Sequence, residues 1–242
     1  MNKTKKILLI ISLIVLVLIA GGFIGFDMYV NDYYHSDTSC EVALITDETI
    51  TVKDTDDFIT FEPKEYDTGI IFYPGGKVEA ESYAPLCRMW SEEGLYVVIV
   101  KMPYNLAILD EDKASEVTNS NVKRWYMAGH SLGGVCASDY ISEHVDSFDG
   151  LILLASYSTK DISHSDLKVL SIYGSNDEVL NKDSYTKNRD NLPSNTMEEI
   201  IFGGNHCQFG SYGYQNGDGI ASISREEQCE MTVEYTKMLL EE

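Results

Sequence analysis

Apolar residues along this 242-residue chain follow two different periods. Runs of consecutive apolar, β-branched or aromatic residues predict short strands at 69–73, 95–101, 122–128, 150–155, 168–173 and 197–202. Apolar residues at helical spacing predict helices at 79–93, 110–118, 132–144, 184–191 and 225–240. Two alternating segments, 42–52 and 58–61, predict an antiparallel strand pair ahead of them. Strands that take turns with helices predict an α/β fold, in which a mostly parallel sheet carries helices on both faces.

The N-terminus has a different pattern. Three lysines precede an apolar run from Ile7 to Phe26, which is long enough to cross ~30 Å of hydrocarbon as a helix. A cleaved signal peptide has a shorter apolar core of roughly 7–15 residues, although Ala20-Gly21-Gly22 leaves cleavage open. We therefore expect a cytoplasmic basic segment (1–6), a transmembrane signal-anchor (7–26), a stalk (27–39) and one domain (40–242). Lysines before the span and acidic residues after it predict a single-pass protein of the cell membrane, with its C-terminal domain outside the cytoplasm.

Charge and cysteine content narrow the range of partners. All 39 acidic residues but only 15 of the 18 basic residues follow Phe26, which gives that part a net charge of −24 (15 minus 39). This charge disfavours nucleic acid and anionic lipid, and favours neutral or cationic substrates.

The chain has five cysteines, an odd number. Cys207–Cys229 and Cys40–Cys87 are candidate disulfides, and the spacing of the cysteines does not decide between pairings. Without a CxxC or a zinc-type His/Cys cluster, we expect no metal and no cofactor. The oligomeric state stays open.

The segment Gly129-His130-Ser131-Leu132-Gly133-Gly134 lies between a predicted strand and a predicted helix. Its pattern G-x-S-x-G is typical of a sharp turn that exposes a nucleophilic serine. The turn requires small residues two before and two after the serine, because larger side chains would clash there. Ser131 is therefore the candidate nucleophile.

A serine nucleophile needs a base within hydrogen-bond reach and an acid that orients the base. On this architecture the acid and then the base follow the serine along the chain, each just after a strand. Asp177 follows one predicted strand and His206 follows the next, so they are the candidate acid and base. Glu178 is the nearest competitor for the acid. His164 is the main rival base, although no predicted strand ends beside it.

Acyl transfer also needs backbone N–H groups that stabilise the oxyanion. The amide of Leu132, directly after the candidate nucleophile, is the first candidate. The second comes from the turn Pro74-Gly75-Gly76-Lys77, which follows the first predicted strand of the parallel sheet. Gly76 is the preferred donor of that turn, with Lys77 as the alternative.

These residues resemble the α/β-hydrolase superfamily, over about Asp67 to Leu240. The segments 71–78, 129–134 and 204–210 are similar to a compact, lidless bacterial group related to dienelactone-hydrolase-like enzymes. The resemblance implies an α/β-hydrolase domain with Ser131, Asp177 and His206 as its catalytic triad. Dienelactone hydrolases usually carry a cysteine nucleophile, so the serine weakens the expectation of a dienelactone substrate.

The expected function is that of a membrane-anchored serine hydrolase, which cleaves a small-molecule carboxylic ester through an acyl-enzyme (EC 3.1.1). Ester rather than amide cleavage is what the resemblance implies, not what any residue dictates. Two alternatives stay open: an acyltransferase or peptidase that uses the same triad, and a non-catalytic binding domain on the same fold.

Overall fold

The computed structural model describes residues 2–241, which form two compact units, one up to Tyr33 and one from Tyr34 onward. The first unit is a single helix, α1 (Lys3–Asn31), whose first turn is capped by the Asn2 side chain. An 18-residue window of α1 has a mean hydropathy of 3.2 and is long and apolar enough to cross a membrane. The helix continues past the predicted span, into residues assigned to the stalk.

An eight-stranded sheet forms the centre of the second unit. Its strands are β1 (Ile50–Asp54), β2 (Phe58–Pro63), β3 (Thr68–Tyr73), β4 (Tyr96–Val100), β5 (Arg124–His130), β6 (Gly150–Leu154), β7 (Lys168–Gly174) and β8 (Met197–Ile201). Their order across the sheet is β1-β2-β4-β3-β5-β6-β7-β8. The β1–β2 and β2–β4 pairs are antiparallel, and all pairs from β4 to β8 are parallel. The parallel strands therefore end at one common edge, here called the carboxyl edge.

Helices cover both faces of this sheet. The α-helices that the structure describes in the second unit are α2 (Thr38–Ala43), α3 (Ala84–Glu92), α4 (Leu132–Ser142), α5 (Lys182–Lys187) and α6 (Arg225–Glu241). Alternate residues of β3 point to opposite faces: Phe72 packs in the core that holds α3 and α6, and Tyr73 in the core that holds α4. On the first face, Trp90 of α3 donates a 3.1 Å hydrogen bond to Thr236 of α6. These layers confirm the predicted α/β fold.

Two predicted elements differ from the structure for local reasons. The strand expected from residue 42 begins only at Ile50, because Thr38–Ala43 is helical and the Asp47 carboxyl group then accepts the amides of Thr49 and Ile50 in a turn. The helix expected at 110–118 is a 3₁₀ helix, Glu111–Glu116. There the Tyr73 hydroxyl accepts the Ala114 amide at 2.9 Å and so binds the segment to β3.

All five cysteines are free and buried. Neither candidate disulfide, Cys207–Cys229 or Cys40–Cys87, is formed. The thiols are part of the packed interior, where cysteine behaves as a small apolar residue.

Candidate active site

Ser131 lies at the carboxyl edge, between the end of β5 and the start of α4. Its backbone angles are φ 52° and ψ −123°, a combination that residues with side chains rarely adopt. Two hydrogen bonds hold it there: the Ser131 amide donates to the Leu154 carbonyl at 2.9 Å, and the Ser156 hydroxyl donates to the Ser131 carbonyl at 2.7 Å. Ser131 therefore occupies the strand, turn and helix that its motif requires.

The two glycines that flank Ser131 are required by close backbone packing. A Cβ on Gly129 would lie 2.6 Å from the backbone of Gly133. A Cβ on Gly133 would lie 2.2 Å from the carbonyl oxygens of Tyr73 and Pro74. The clash inferred from the sequence pattern is thus present in the structure.

Asp177 and His206 form a buried pair, each on a loop after its strand at the carboxyl edge. His206 Nδ1 lies 2.9 Å from Asp177 Oδ2, and both side chains are almost fully buried. The other carboxyl oxygen of Asp177 accepts the amides of Val179 at 2.9 Å and Leu180 at 2.7 Å. With a proton on Nδ1 to make the bond to Asp177, the neutral His206 ring has an unprotonated Nε2 that can accept a proton.

A further carboxyl group, that of Asp218, supports this pair. Asp218 is buried and accepts the amides of Cys207 at 2.9 Å, of His206 at 3.3 Å and of Glu178 at 3.4 Å. It thereby joins the loop that carries His206 to the loop that carries Asp177. Sequence reasoning found no role for Asp218, and its only signal was the position between two glycines in the tract after His206.

The candidate oxyanion loop, residues 74–77, lies against the first turn of α4. A Cβ on Gly76 would lie 2.8 Å from Leu132 Cδ2, so Gly76 packs against the side chain of Leu132. The Lys77 amide donates to the Asn105 carbonyl at 2.8 Å. Since the Lys77 N–H already has this hydrogen-bond partner, the geometry favours the Gly76 amide over the Lys77 amide as the candidate oxyanion donor.

The structure does not join Ser131 to His206 by a hydrogen bond. The Nε2 atom of His206 is buried and has no hydrogen-bond partner among residues 2–241. A catalytic hydrogen bond that is long without substrate often tightens when substrate binds. Neither rival residue takes part in this pair: the Glu178 side chain is exposed, and His164 lines a cavity with Arg124 and Lys168, at the opposite edge of the sheet.

Comparison with known proteins identifies the fold. The family model described as the alpha/beta hydrolase family matches residues 69–230, which include every candidate site residue. The chain belongs to the alpha/beta hydrolase family.

Solved structures resemble this hydrolase over most of its length. A predicted CIB-like hydrolase from Thermoplasma acidophilum matches with a TM-score of 0.54 and 17% identity, over 78% of this chain and 97% of that one. Est1E from Butyrivibrio proteoclasticus matches with a TM-score of 0.54 and 16% identity, over 81% and 100%. TT1662 from Thermus thermophilus matches with a TM-score of 0.58 and 12% identity, over 80% and 99%. At these identities the likeness shows the fold alone. A search of curated protein sequences finds no match.

A cavity beside the candidate site and the absence of a metal-binding cluster from the described part of the chain bear on which ligands the hydrolase could hold. A cavity of about 390 Å³ borders the loop of His206 and is lined by Asn205, Cys207 and Gln208, but by neither Ser131 nor His206. It is therefore not the place where the reacting atoms would meet. Among residues 2–241, no group of three or more His, Cys, Asp or Glu side chains could hold a metal ion.

Proposed function

We propose that the protein is a serine hydrolase with Ser131 as nucleophile, His206 as general base and Asp177 as the acid that orients it. The observation that carries this proposal is the buried Asp177–His206 pair, whose Nε2 atom is unpartnered at the edge where Ser131 is held in its strained turn. A buried imidazole with one nitrogen bound to a carboxyl group and the other unpartnered fits a general base.

The proposed reaction proceeds through an acyl-enzyme. His206 Nε2 takes the proton from Ser131 Oγ as that oxygen attacks the substrate carbonyl carbon. The amides of Leu132 and Gly76 stabilise the resulting oxyanion. The tetrahedral intermediate collapses, the bond to the leaving alcohol breaks, and His206 gives that alcohol its proton. Water then attacks the acyl-enzyme, again with His206 as base, which releases the carboxylic acid and restores Ser131.

Fluorophosphonate labelling of the full-length protein in detergent tests this assignment. We expect one label per chain on Ser131, none in Ser131→Ala, and normal labelling in the matched control Ser138→Ala. Ser138 is a buried serine of α4 whose hydroxyl donates to the Val135 carbonyl of the same helix. Absence of label on the folded wild-type protein would falsify the proposal.

We further propose that the substrate is a carboxylic ester. Support comes from a structural neighbour, Est1E, for which a structure has ferulic acid, a carboxylic acid, bound. That structure matches with a TM-score of 0.56 and 15% identity, over 79% of this chain and 100% of that one. A series of 4-nitrophenyl esters of short and long acyl chains, with matched anilides, measures the preference. Faster anilide than ester turnover would favour a peptidase, and transfer to an added alcohol would favour an acyltransferase.

We also propose that α1 anchors the hydrolase in the cell membrane, with the domain outside the cytoplasm. The supporting observations are the length and hydropathy of α1 and the three lysines before its apolar run. In membrane fractions of expressing cells, we expect the full-length chain to resist carbonate extraction and to keep its N-terminus. An N-terminal sequence that starts near Gly22 would instead identify a cleaved signal peptide.

A further inference from the structure

The hydroxyl group of Tyr83 contacts two parts of the site that are distant in sequence. Tyr83 is fully buried in the 3₁₀ turn that precedes α3. Its oxygen lies 3.0 Å from the Gly75 amide nitrogen, in the candidate oxyanion loop, and 2.8 Å from His130 Nδ1, beside the candidate nucleophile. A Cβ on Gly75 would lie 2.7 Å from this oxygen and 2.9 Å from His130 Nδ1, so the contact requires a glycine.

The direction of the two hydrogen bonds follows from the donors. The Gly75 N–H donates to the Tyr83 oxygen. Burial raises the pKa of Tyr83 far above its usual value, so the phenol keeps its proton at neutral pH. That proton is directed at His130 Nδ1, which then acts as an acceptor, and the neutral His130 ring carries its proton on Nε2.

The His130 ring in turn packs on the candidate base. The ring centroids of His130 and His206 are 4.5 Å apart, and the planes are inclined by 49°. His130 is almost fully buried. Burial first, and the neighbouring His206 second, lower the pKa of His130 well below its usual value. His130 therefore gives His206 an uncharged aromatic surface.

We propose that Tyr83 and His130 are positioning residues that join the oxyanion loop to the catalytic base. One buried hydroxyl fixes both the Gly75–Gly76 segment and the ring against which His206 packs. The inference rests on the proposed function of Ser131 and His206, and adds to it that the oxyanion donor and the base are held by one connected set of contacts. Misplacing catalytic groups by about 1 Å can cost two orders of magnitude in rate, so such contacts affect kcat.

A double-mutant cycle in the full-length protein tests the connection. Tyr83→Phe removes the hydroxyl group and keeps the ring. His130→Phe removes Nδ1 and keeps an aromatic ring against His206. With a 4-nitrophenyl ester, we expect each single variant to lose about ten- to hundredfold in kcat with KM within about twofold. The double variant should be no slower than the slower single variant, because both substitutions remove the same hydrogen bond.

Two measurements separate positioning from a general loss of packing. Tyr212→Phe is the matched control: Tyr212 is a buried tyrosine whose hydroxyl lies 3.1 Å from Gln215 Oε1 instead. We expect this variant to keep the wild-type kcat. In protein with ¹⁵N-labelled histidine, the acceptor-type Nδ1 resonance of His130 should move in Tyr83→Phe and stay unchanged in Tyr212→Phe.

The outcomes distinguish the proposed connection through Tyr83 and His130 from the proposed role of Ser131. Losses that multiply in the double variant, or an unchanged kcat in a folded Tyr83→Phe protein, overturn the connection and leave the role of Ser131 intact. A wild-type protein that neither turns over esters nor labels at Ser131 overturns both.

Discussion

Ser131 adopts a backbone conformation that costs about 1–3 kcal/mol in a residue with a side chain. The cost is met by contacts from its surroundings, since the Leu154 carbonyl and the Ser156 hydroxyl bind its backbone from the neighbouring strand and the loop that follows it. Ala155, between these two residues, also has a positive φ of 47°. At the residue scale, two residues with positive φ thus lie where the proposed nucleophile must project from the sheet.

Asp177 gives the residue-scale prediction. An asparagine side chain in its place would keep the shape of the carboxyl group but would no longer favour a proton on His206 Nδ1, so the base would hold the wrong tautomer. We expect Asp177→Asn to lower kcat by about 10³- to 10⁴-fold, with little change in the melting temperature. Glu178→Gln, one residue along and exposed, is the control and should turn over ester at the wild-type rate. Equal rates for Asp177→Asn and wild type would exclude Asp177 as the orienting acid.

At the scale of elements, the site depends on loops that follow parallel strands. The candidate oxyanion loop follows β3, Ser131 follows β5, Asp177 follows β7 and His206 follows β8. Parallel strands end at the same edge, so four segments distant in sequence converge there. Asp218 then binds two of these loops through their backbone amides.

Replacing Asp218 should affect both stability and turnover. Asp218→Ala leaves several buried amides without an acceptor, at about 1–3 kcal/mol for each one that stays unpaired. We expect roughly 3 kcal/mol less free energy of unfolding and a kcat at least tenfold lower, because His206 and Asp177 are no longer held in register. Urea unfolding and ester kinetics measure the two effects. Asp190→Ala, at an exposed position, should change the free energy by less than about 0.5 kcal/mol; an Asp218→Ala protein that resembles it would refute this role.

At the scale of the whole molecule, the interior contains weakly acidic side chains, the thiols of cysteine and the phenols of tyrosine, which are buried in their protonated form. Burial raises the pKa of Cys40 and Cys207 to about 11 and that of Cys136 and Cys229 to about 12. It likewise raises the pKa of Tyr185 to about 12. A buried group whose folded-state pKa is raised stabilises the fold below its usual pKa and ceases to do so as the pH rises through the folded value.

We therefore expect stability to be maintained up to about pH 9, the usual value for a thiol, and to fall as the pH rises towards 12. Urea midpoints measured across this range with a reducing agent test the expectation. In parallel, native protein near neutral pH should resist thiol alkylation, and unfolded protein should react at all five cysteines. A urea midpoint that stays constant across this pH range would contradict the expected loss of stability at high pH.

The acidic surface gives a second whole-molecule prediction. With a net charge of −24 after Phe26, the hydrolase should attract cationic esters and repel anionic ones. We expect kcat/KM for a cationic ester to exceed that for a matched anionic ester at low salt, with the difference reduced at high salt as charges are screened. A preference that is independent of salt would show that the pocket, not the overall charge, selects the substrate.

Much of this protein follows from local sequence. The alternation of strands and helices predicted the α/β fold, because buried strands and amphipathic helices carry their periods in their own residues. The turn around Ser131 was predictable as well, because its clashes involve residues close in sequence and a neighbouring strand end. The 3₁₀ helix at Glu111–Glu116 was not, since its contact with Tyr73 comes from a strand about forty positions earlier.

Only the tertiary structure placed the supporting groups. Asp177 and His206 were predicted from their positions after strands, but their 2.9 Å contact depends on β7 and β8 being neighbours in the sheet. The roles proposed for Asp218 and Tyr83 could not be predicted from the sequence, because each residue makes hydrogen bonds to segments that the sheet topology brings together. Periodicity and turn chemistry are properties of short segments, whereas the contacts that hold a base in place arise from how those segments pack.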